Sequence, residues 1–208
     1  NAGWVATVDG RRGDVFVQRF KFDPKREYPD QSSVEFWHNG LGRIHAYNEW
    51  LEMADNRDEN PYVFESEVLS PFASLQPGES YTWCYDWYSC RIGGDFPMVD
   101  CSEAGVVSEP LTCREDAGGV RLRGRFGVFH PGRLVLEAYD GKSALVATKI
   151  LDSDASPRRA ATVDVTLELP QATRTVAVVL LDTEGKRIGR ISRTGPLRLG
   201  GENTSTSQ

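Results

Sequence analysis

The sequence has no long apolar run and no excess of basic residues. Its longest uninterrupted apolar stretch, Val176–Leu181, has six residues, whereas a membrane-spanning helix needs about 20. The 24 Lys and Arg residues are outnumbered by 30 Asp and Glu residues, which gives a net charge of −6. A protein that binds nucleic acid by neutralising phosphates usually carries the opposite balance. We therefore expect neither a membrane span nor nucleic acid as the main partner.

Helix signals are also scarce. The best candidate is the segment 45–54, whose apolar and aromatic residues form a short stripe at helical spacing. Strand signals, by contrast, occur along most of the chain, because β-rich segments repeatedly end at Gly, Pro, Asn or Asp turns. The sequence therefore predicts an all-β fold. The predicted strands are 15–22, 33–37, 62–69, 79–91, 119–129, 133–139, 145–151, 161–169, 173–181 and 187–191.

Composition divides the chain into two parts. Residues 1–92 carry 9 basic and 15 acidic groups, a balance of −6, whereas the remaining residues carry 15 of each. All five Trp residues and six of the seven Tyr residues precede residue 89. We predict a β-sandwich part over 1–92, a cysteine-containing linker over 93–117, an immunoglobulin-like antiparallel β-sandwich over 118–196 and a disordered tail over 197–208.

The four cysteines, Cys84, Cys90, Cys101 and Cys113, lie within 30 residues of one another. An even, clustered count predicts disulfides and a secreted or extracytoplasmic protein. No pair has the spacing of a zinc knuckle, so we predict no metal. Cys84 and Cys90 lie about 20 Å apart along one predicted strand, and their expected partners are therefore Cys101 and Cys113. The alternative is four reduced cysteines in a cytoplasmic protein.

Aromatic side chains are concentrated on the predicted strand 79–91. Tyr81, Trp83, Tyr85 and Trp87 would lie on one face of that strand. Such a face either stacks against the apolar C–H face of sugar rings or forms the core of the first sheet. We favour the core, because a contiguous aromatic stripe in water promotes aggregation.

Glu65 and Glu67 are the candidate catalytic residues. They lie two positions apart on a predicted strand, so both side chains project from one face. Glu is depleted in strands, and two on one face therefore need an explanation. One is a carboxylate-lined site in which one Glu acts as a general base; the other is an ordinary solvated face.

Three short motifs of the first part resemble the end of the galactose-mutarotase-like (aldose 1-epimerase-like) supersandwich. Glu65–Glu67 is similar to that superfamily's Leu-Glu-Thr-Gln strand, Leu75–Glu79 to its Leu-x-Pro-Gly-Glu turn, and Tyr81–Trp83 to its last strand. Val34–Trp37 resembles the strand before them. The run Glu65–Pro71 is most similar to an uncharacterised bacterial branch of the superfamily. The resemblance covers roughly residues 1–92 and implies a supersandwich-like module there.

The resemblance also implies a saccharide ligand and no cofactor. Glu65 would take the position of the superfamily's general base and Glu67 that of its Gln, with Trp37 and His38 as substrate-binding residues. Because 92 residues are too few for a supersandwich, we expect either that the chain is the carboxyl part of a longer protein or that the first module is a reduced sandwich. The remainder of a longer chain, or another chain, would then complete the first sheet. The absence of an initial Met predicts either that a signal or pro-segment has been removed or that the chain is part of a longer protein. The superfamily's general-acid His would come from the missing sequence.

The expected function is carbohydrate binding or carbohydrate processing. In an enzyme, a Glu would transfer a proton on a saccharide, as in a sugar epimerase or a polysaccharide-processing enzyme. The alternative is a non-enzymatic extracellular structural or adhesion protein built from β-sandwich modules, since the same strands serve both functions.

Overall fold

The computed structural model describes residues 3–38, 40–46, 48–54, 56, 58–59 and 63–197. Within them the protein is all-β, as predicted, and its one helical element is a single 3-10 turn, Pro29–Gln31. No helix in these ranges has the length and apolarity to cross a membrane. The strands are β1 Trp4–Asp9, β2 Asp14–Phe20, β3 Val34–His38, β4 Gly42–Ala46, β5 Glu49–Met53, β6 Phe64–Val68, β7 Tyr85–Arg91, β8 Asp100–Cys101, β9 Gly105–Asp116, β10 Gly119–Val128, β11 Gly132–Tyr139, β12 Leu145–Ala155, β13 Ala161–Leu167, β14 Thr175–Leu181 and β15 Arg187–Arg193.

The chain forms two compact units that interleave in sequence. Unit 1 comprises Asn1–Val5 and Gln18–Asp86, and unit 2 comprises Ala6–Val17 and Trp87–Gln208. This division differs from the predicted sequential boundaries, because the early segment Ala6–Val17 belongs with the second half of the chain. The predicted disordered tail lies outside the described residues except for Leu197.

Unit 1 contains two separate antiparallel pairs of strands. β3 pairs with β6, and β4 pairs with β5 across a tight turn in which Asn48 has a φ of 63°. The helix predicted over 45–54 is therefore wrong. A ten-residue helix is marginal in water, whereas the hairpin brings Trp50 opposite His45 at 5.2 Å between ring centroids and places the Arg43 guanidinium 4.7 Å from the Trp50 ring.

The long strand predicted over 79–91 is present only in its second half, as β7. The Pro77-Gly78 turn forms, with Gly78 at a φ of 90° and the Gln76 N–H bonded to the Glu79 carboxylate. Residues 79–84 then continue without regular structure. β7 pairs with β2, and β2 with β1, in a three-stranded sheet.

Unit 2 contains an antiparallel β-sandwich. One sheet has the order β13-β10-β9-β8 and the other β12-β11-β14-β15. The six strands predicted after residue 118 are all present. The segment 93–117, predicted to be a linker, contains β8 and the twelve-residue β9, which pairs with β10 from Gly119↔Asp116 onward.

Buried apolar residues are concentrated in unit 2. Its main core lies between the two four-stranded sheets and includes Leu122, Phe126, Leu136 and Val178. A second cluster of six buried residues, which includes Ile92, also belongs to unit 2. In the described part of unit 1, by contrast, the buried apolar residues are Tyr28 and Pro71.

Candidate functional site

One face of the β3–β6 pair carries three carboxylates and an exposed indole. The strand register sets Trp37 opposite Glu65 and Glu35 opposite Glu67. Because directly opposed residues and residues two apart share a face, all four side chains project together. The Trp37 side chain is 55% exposed, Glu65 is exposed, and Glu35 and Glu67 are half-buried. We call these four residues the Trp37 face.

The opposite face of this pair is apolar and contains His38. Phe36 and Phe64 stack there at 5.7 Å between ring centroids, and His38 lies opposite Phe64. Ser66 on the same face donates a hydrogen bond of 2.9 Å to the side-chain oxygen of the buried Gln18. The structure therefore brings Trp37, Glu65 and Glu67 together and places His38 on the other side of the strands.

The carboxylates of the Trp37 face repel one another and are incompletely satisfied. Glu35 directly opposes Glu67, and like charges in that position destabilise a strand pair. One Glu35 oxygen accepts a hydrogen bond of 3.3 Å from the Trp37 indole N–H. The other, Oε1, is buried and has no hydrogen-bond partner within the described structure. No group of acidic, His and Cys side chains in the described residues is arranged to hold a metal ion.

Unit 1 also contains a cavity of about 860 Å³ that sequence analysis did not identify. Its volume falls within the usual range for small-molecule sites. Phe22 and Tyr28 stack in its wall at 5.3 Å, and the Arg26 guanidinium donates to the Phe72 carbonyl at 2.7 Å. The lining residues are Gly3, Trp4, Phe20, Phe22, Pro24, Arg26, Glu27, Tyr28, Asp30, Gln31, Ser32, Ser33, Val34 and Phe72.

Part of the cavity wall has an unusual backbone. Asp30 and Gln31 both adopt left-handed conformations, with φ of 48° and 57°. Non-glycine residues seldom do so, and such conformations cluster at ligand sites. The Tyr28-Pro29 pair just before them was the sequence signal that could have predicted a turn here, because Pro favours turns.

The predicted aromatic strand face is not a core face. Tyr81 and Trp87 are 41% and 63% exposed, and residues 81–84 lie outside the strand. Trp83 is half-buried beside Phe20 and Tyr85, at 6.2 Å and 5.1 Å between ring centroids. The core interpretation therefore fails, because the strand begins only at Tyr85, partway along the aromatic stripe, and the main apolar clusters lie elsewhere.

The predicted disulfides are absent, since no disulfide joins any two of the four cysteines, all of which lie within the described residues. Cys113 packs against the main core of unit 2, whereas Cys90 and Cys101 belong to its second cluster. Cys84 is exposed. Burial raises the pKa of Cys90 to about 12, with a contribution from the charge of Cys101, and burial raises that of Cys113 to about 12. Without disulfides, the cysteines no longer support the predicted extracytoplasmic location.

We compared the chain with protein-family models, with curated proteins and with solved structures. None of the three comparisons finds a match. Function is therefore inferred from the residues and geometry of each unit.

Proposed function

We propose that the protein binds a saccharide on the Trp37 face. The observation that carries this proposal is an indole that is 55% exposed and lies opposite Glu65. A sugar ring offers an apolar C–H face to an aromatic ring and hydroxyl donors around its rim, and carboxylates accept those donors. An exposed Trp flanked by carboxylates supplies both contacts at one place.

The unsatisfied oxygen of Glu35 supports the same ligand chemistry. A buried acceptor without a partner costs about 1–3 kcal/mol, and a neutral hydroxyl donor relieves that cost without adding charge. The mutual repulsion of Glu35 and Glu67 likewise decreases when hydroxyls bridge them. A ligand rich in hydroxyl groups therefore fits the Trp37 face better than an anionic one.

Binding is better supported than catalysis. The resemblance to the mutarotase-like superfamily assigns Glu65 the role of a base that accepts the proton of a sugar hydroxyl, and we keep that role as the catalytic form of the proposal. A proton transfer of this type also needs an acid near the substrate. His38 lies on the opposite face of the strands and therefore cannot serve as the acid that acts together with Glu65.

A glycan-array screen followed by calorimetry tests this proposal. We expect the Trp37→Ala variant to lose at least tenfold in affinity for the saccharides that the wild type retains. The matched control is Trp50→Ala, because Trp50 is another exposed Trp of unit 1, at 62%, on a different pair of strands. Equal affinity of the Trp37→Ala variant and the wild type would overturn the proposal.

The catalytic form has a separate test. Glu65→Gln keeps the size and the hydrogen-bonding capacity of the side chain but removes the base. We expect the variant to abolish any sugar interconversion that NMR detects with the wild type, while the variant still binds the saccharide. Interconversion at the wild-type rate would exclude Glu65 as the base.

A second candidate function is that of a non-enzymatic adhesion or structural protein. It is favoured by the exposed aromatic rings of unit 1, which include Phe36 at 51% and Phe72 at 60%. Exposed apolar patches and open strand edges are typical of surfaces that receive another chain. A folded sample that binds no glycan but associates in light scattering would favour this function over saccharide binding.

A further inference from the structure

The last strand of unit 2 contains a repeated triplet of residues. β15 reads Arg187-Ile188-Gly189-Arg190-Ile191-Ser192-Arg193. In a regular strand, arginines three positions apart would alternate between the two faces of the sheet. The sequence pattern alone therefore predicts that they are dispersed.

Two β-bulges place all three arginines on one face instead. Arg187 pairs with Leu181, Arg190 with Val179 and Arg193 with Ala177, with a shift of register between successive pairs. Each three-residue step along β15 thus matches a two-residue step along β14. Bulges of this type redirect side chains and occur often next to functional sites.

The arginines point away from the core of unit 2. Ile191 is buried in that core and Ile188 packs against it, so the bulged strand buries its isoleucines and turns its arginines outward. Arg187, Arg190 and Arg193 are exposed. Arg133 joins them, because Arg133 of β11 and Arg187 of β15 flank the same residue of β14, Leu181. We call these four residues the arginine face.

The arginine face is poorly neutralised. On the outward side of β11, β14 and β15 the one carboxylate is that of the buried Glu137, which already accepts two hydrogen bonds of 2.6 Å from Arg187 and one from the Tyr139 hydroxyl. Four arginines less one glutamate leave three positive charges. Within the described residues Arg133 and Arg190 form no ion pair, and Arg193 donates to the Thr175 hydroxyl at 3.0 Å.

The outer surface of the other sheet provides a contrast. There Arg121 and Arg123 both donate to Asp164, at 2.9 Å and 3.1 Å, and Arg125 pairs with Glu109 at 3.1 Å. Those arginines are paired with acidic side chains of neighbouring strands. The arginine face is therefore a separate accumulation of positive charge within a chain of net charge −6.

We infer that the arginine face binds an acidic polysaccharide, one that carries carboxylate or sulfate groups along its length. Guanidinium groups bind such oxyanions through two parallel hydrogen bonds. Successive rows of arginines lie about 7 Å apart along the strand direction, so a linear chain with repeated anionic groups can meet several of them at once. This site is on unit 2 and is independent of the saccharide site proposed for unit 1.

Nucleic acid fits this surface less well. Proteins that bind single strands stack the bases on exposed aromatic rings, and the aromatic residue of these rows, Tyr139, already lies beneath the Arg193 guanidinium at 5.7 Å. Strong binding to duplexes also requires neutralisation of many phosphates. A net charge of −6 opposes that requirement.

Binding to immobilised heparin and polygalacturonate at low and physiological salt tests the inference. We expect the double variant Arg190→Ser/Arg193→Ser to lose at least tenfold in affinity and the wild-type affinity to fall as salt rises. The charge-matched control is Arg121→Ser/Arg123→Ser, which we expect to bind within twofold of the wild type. Circular dichroism of both double variants would verify that they are folded.

Three results would overturn the inference. They are the absence of binding to either polymer at low salt, an equal loss of affinity in the two double variants, and tighter binding to single-stranded DNA than to a polysaccharide of similar charge. The Trp37→Ala variant separates this site from the proposed function. We expect it to bind both acidic polymers with wild-type affinity whether or not the site of unit 1 exists.

Discussion

At the scale of single residues, packing decides the chemistry of the thiols. Cys90 is 2% exposed and lies over Gly127, where a methyl group would come within 2.6 Å of the Cys90 Sγ atom. Glycine at position 127 therefore makes room for the sulfur. Burial of the thiol opposes its ionisation and raises its pKa from 9.0 to about 12. At neutral pH this cysteine is consequently protonated and unreactive.

The raised pKa of Cys90 predicts a loss of stability at alkaline pH. Between about pH 9 and about pH 12 the unfolded chain releases the thiol proton while the folded chain retains it. The free energy of unfolding therefore falls as pH rises, by at most about 1.4 kcal/mol per pH unit from this thiol. The stability is fully present below pH 9, where both states hold the proton.

Urea denaturation at about pH 8 and about pH 10.5 measures this effect. Cys90→Ala is the control, because alanine does not titrate, and its stability should fall less between the two values. Parallel losses in the wild type and the variant would contradict the prediction.

At the scale of elements, two hairpins of the second sheet share one loop design. The β11–β12 loop begins with Asp140 and the β14–β15 loop with Asp182, and each carboxylate accepts the N–H groups two and four residues further on. The fourth loop residue is left-handed in both, as Ser143 with a φ of 64° and as Gly185 with a φ of 89°. The loops differ in how well that residue tolerates its conformation, because glycine lacks the Cβ that makes the conformation costly.

Ser143→Gly is predicted to stabilise the protein by about 1 kcal/mol. The substitution removes the cost of a left-handed side-chain-bearing residue and leaves the Asp140 hydrogen bonds in place. The matched exchange, Gly185→Ser, should destabilise the protein by a similar amount. Urea denaturation of both variants checks the prediction, and a destabilised Ser143→Gly variant would refute it.

At the scale of the whole molecule, the two units differ in how much apolar surface they bury. The large buried side chains, among them Phe126, Leu134 and Leu180, lie in unit 2. Unit 1 exposes many of its aromatic rings and organises its described strands between residues 34 and 68 as two separate pairs. Few buried contacts imply low local stability.

Native-state hydrogen exchange should reveal this difference. We expect the amides of β3–β6 and β4–β5 to exchange at least a hundredfold faster than those of β10, β11 and β14, since the latter belong to the main core. Mass spectrometry of peptic fragments measures both sets in one sample. Equal protection of the two sets would show that unit 1 is stabilised by interactions beyond its own buried side chains.

Local patterns predicted much of unit 2. Strands β11, β14 and β15 were evident because β-rich segments end at turns that begin with Asp140 and Asp182. The same approach was wrong for 45–54, where a helical stripe of ten residues competes poorly with a hairpin. It was also wrong for β9, whose polar residues concealed a central strand that β8 and β10 flank.

The candidate sites likewise combine features that the local sequence determines with features that only the tertiary structure determines. The positions of Glu65 and Glu67 two apart on a strand determined that they share a face, because strand alternation is a local property. Only the tertiary structure decided that Trp37 lies opposite Glu65, that the unit 1 cavity forms, and that two bulges align the arginines of β15. Register and bulges depend on which residues distant in sequence pack together, and local periodicity carries no information about that choice.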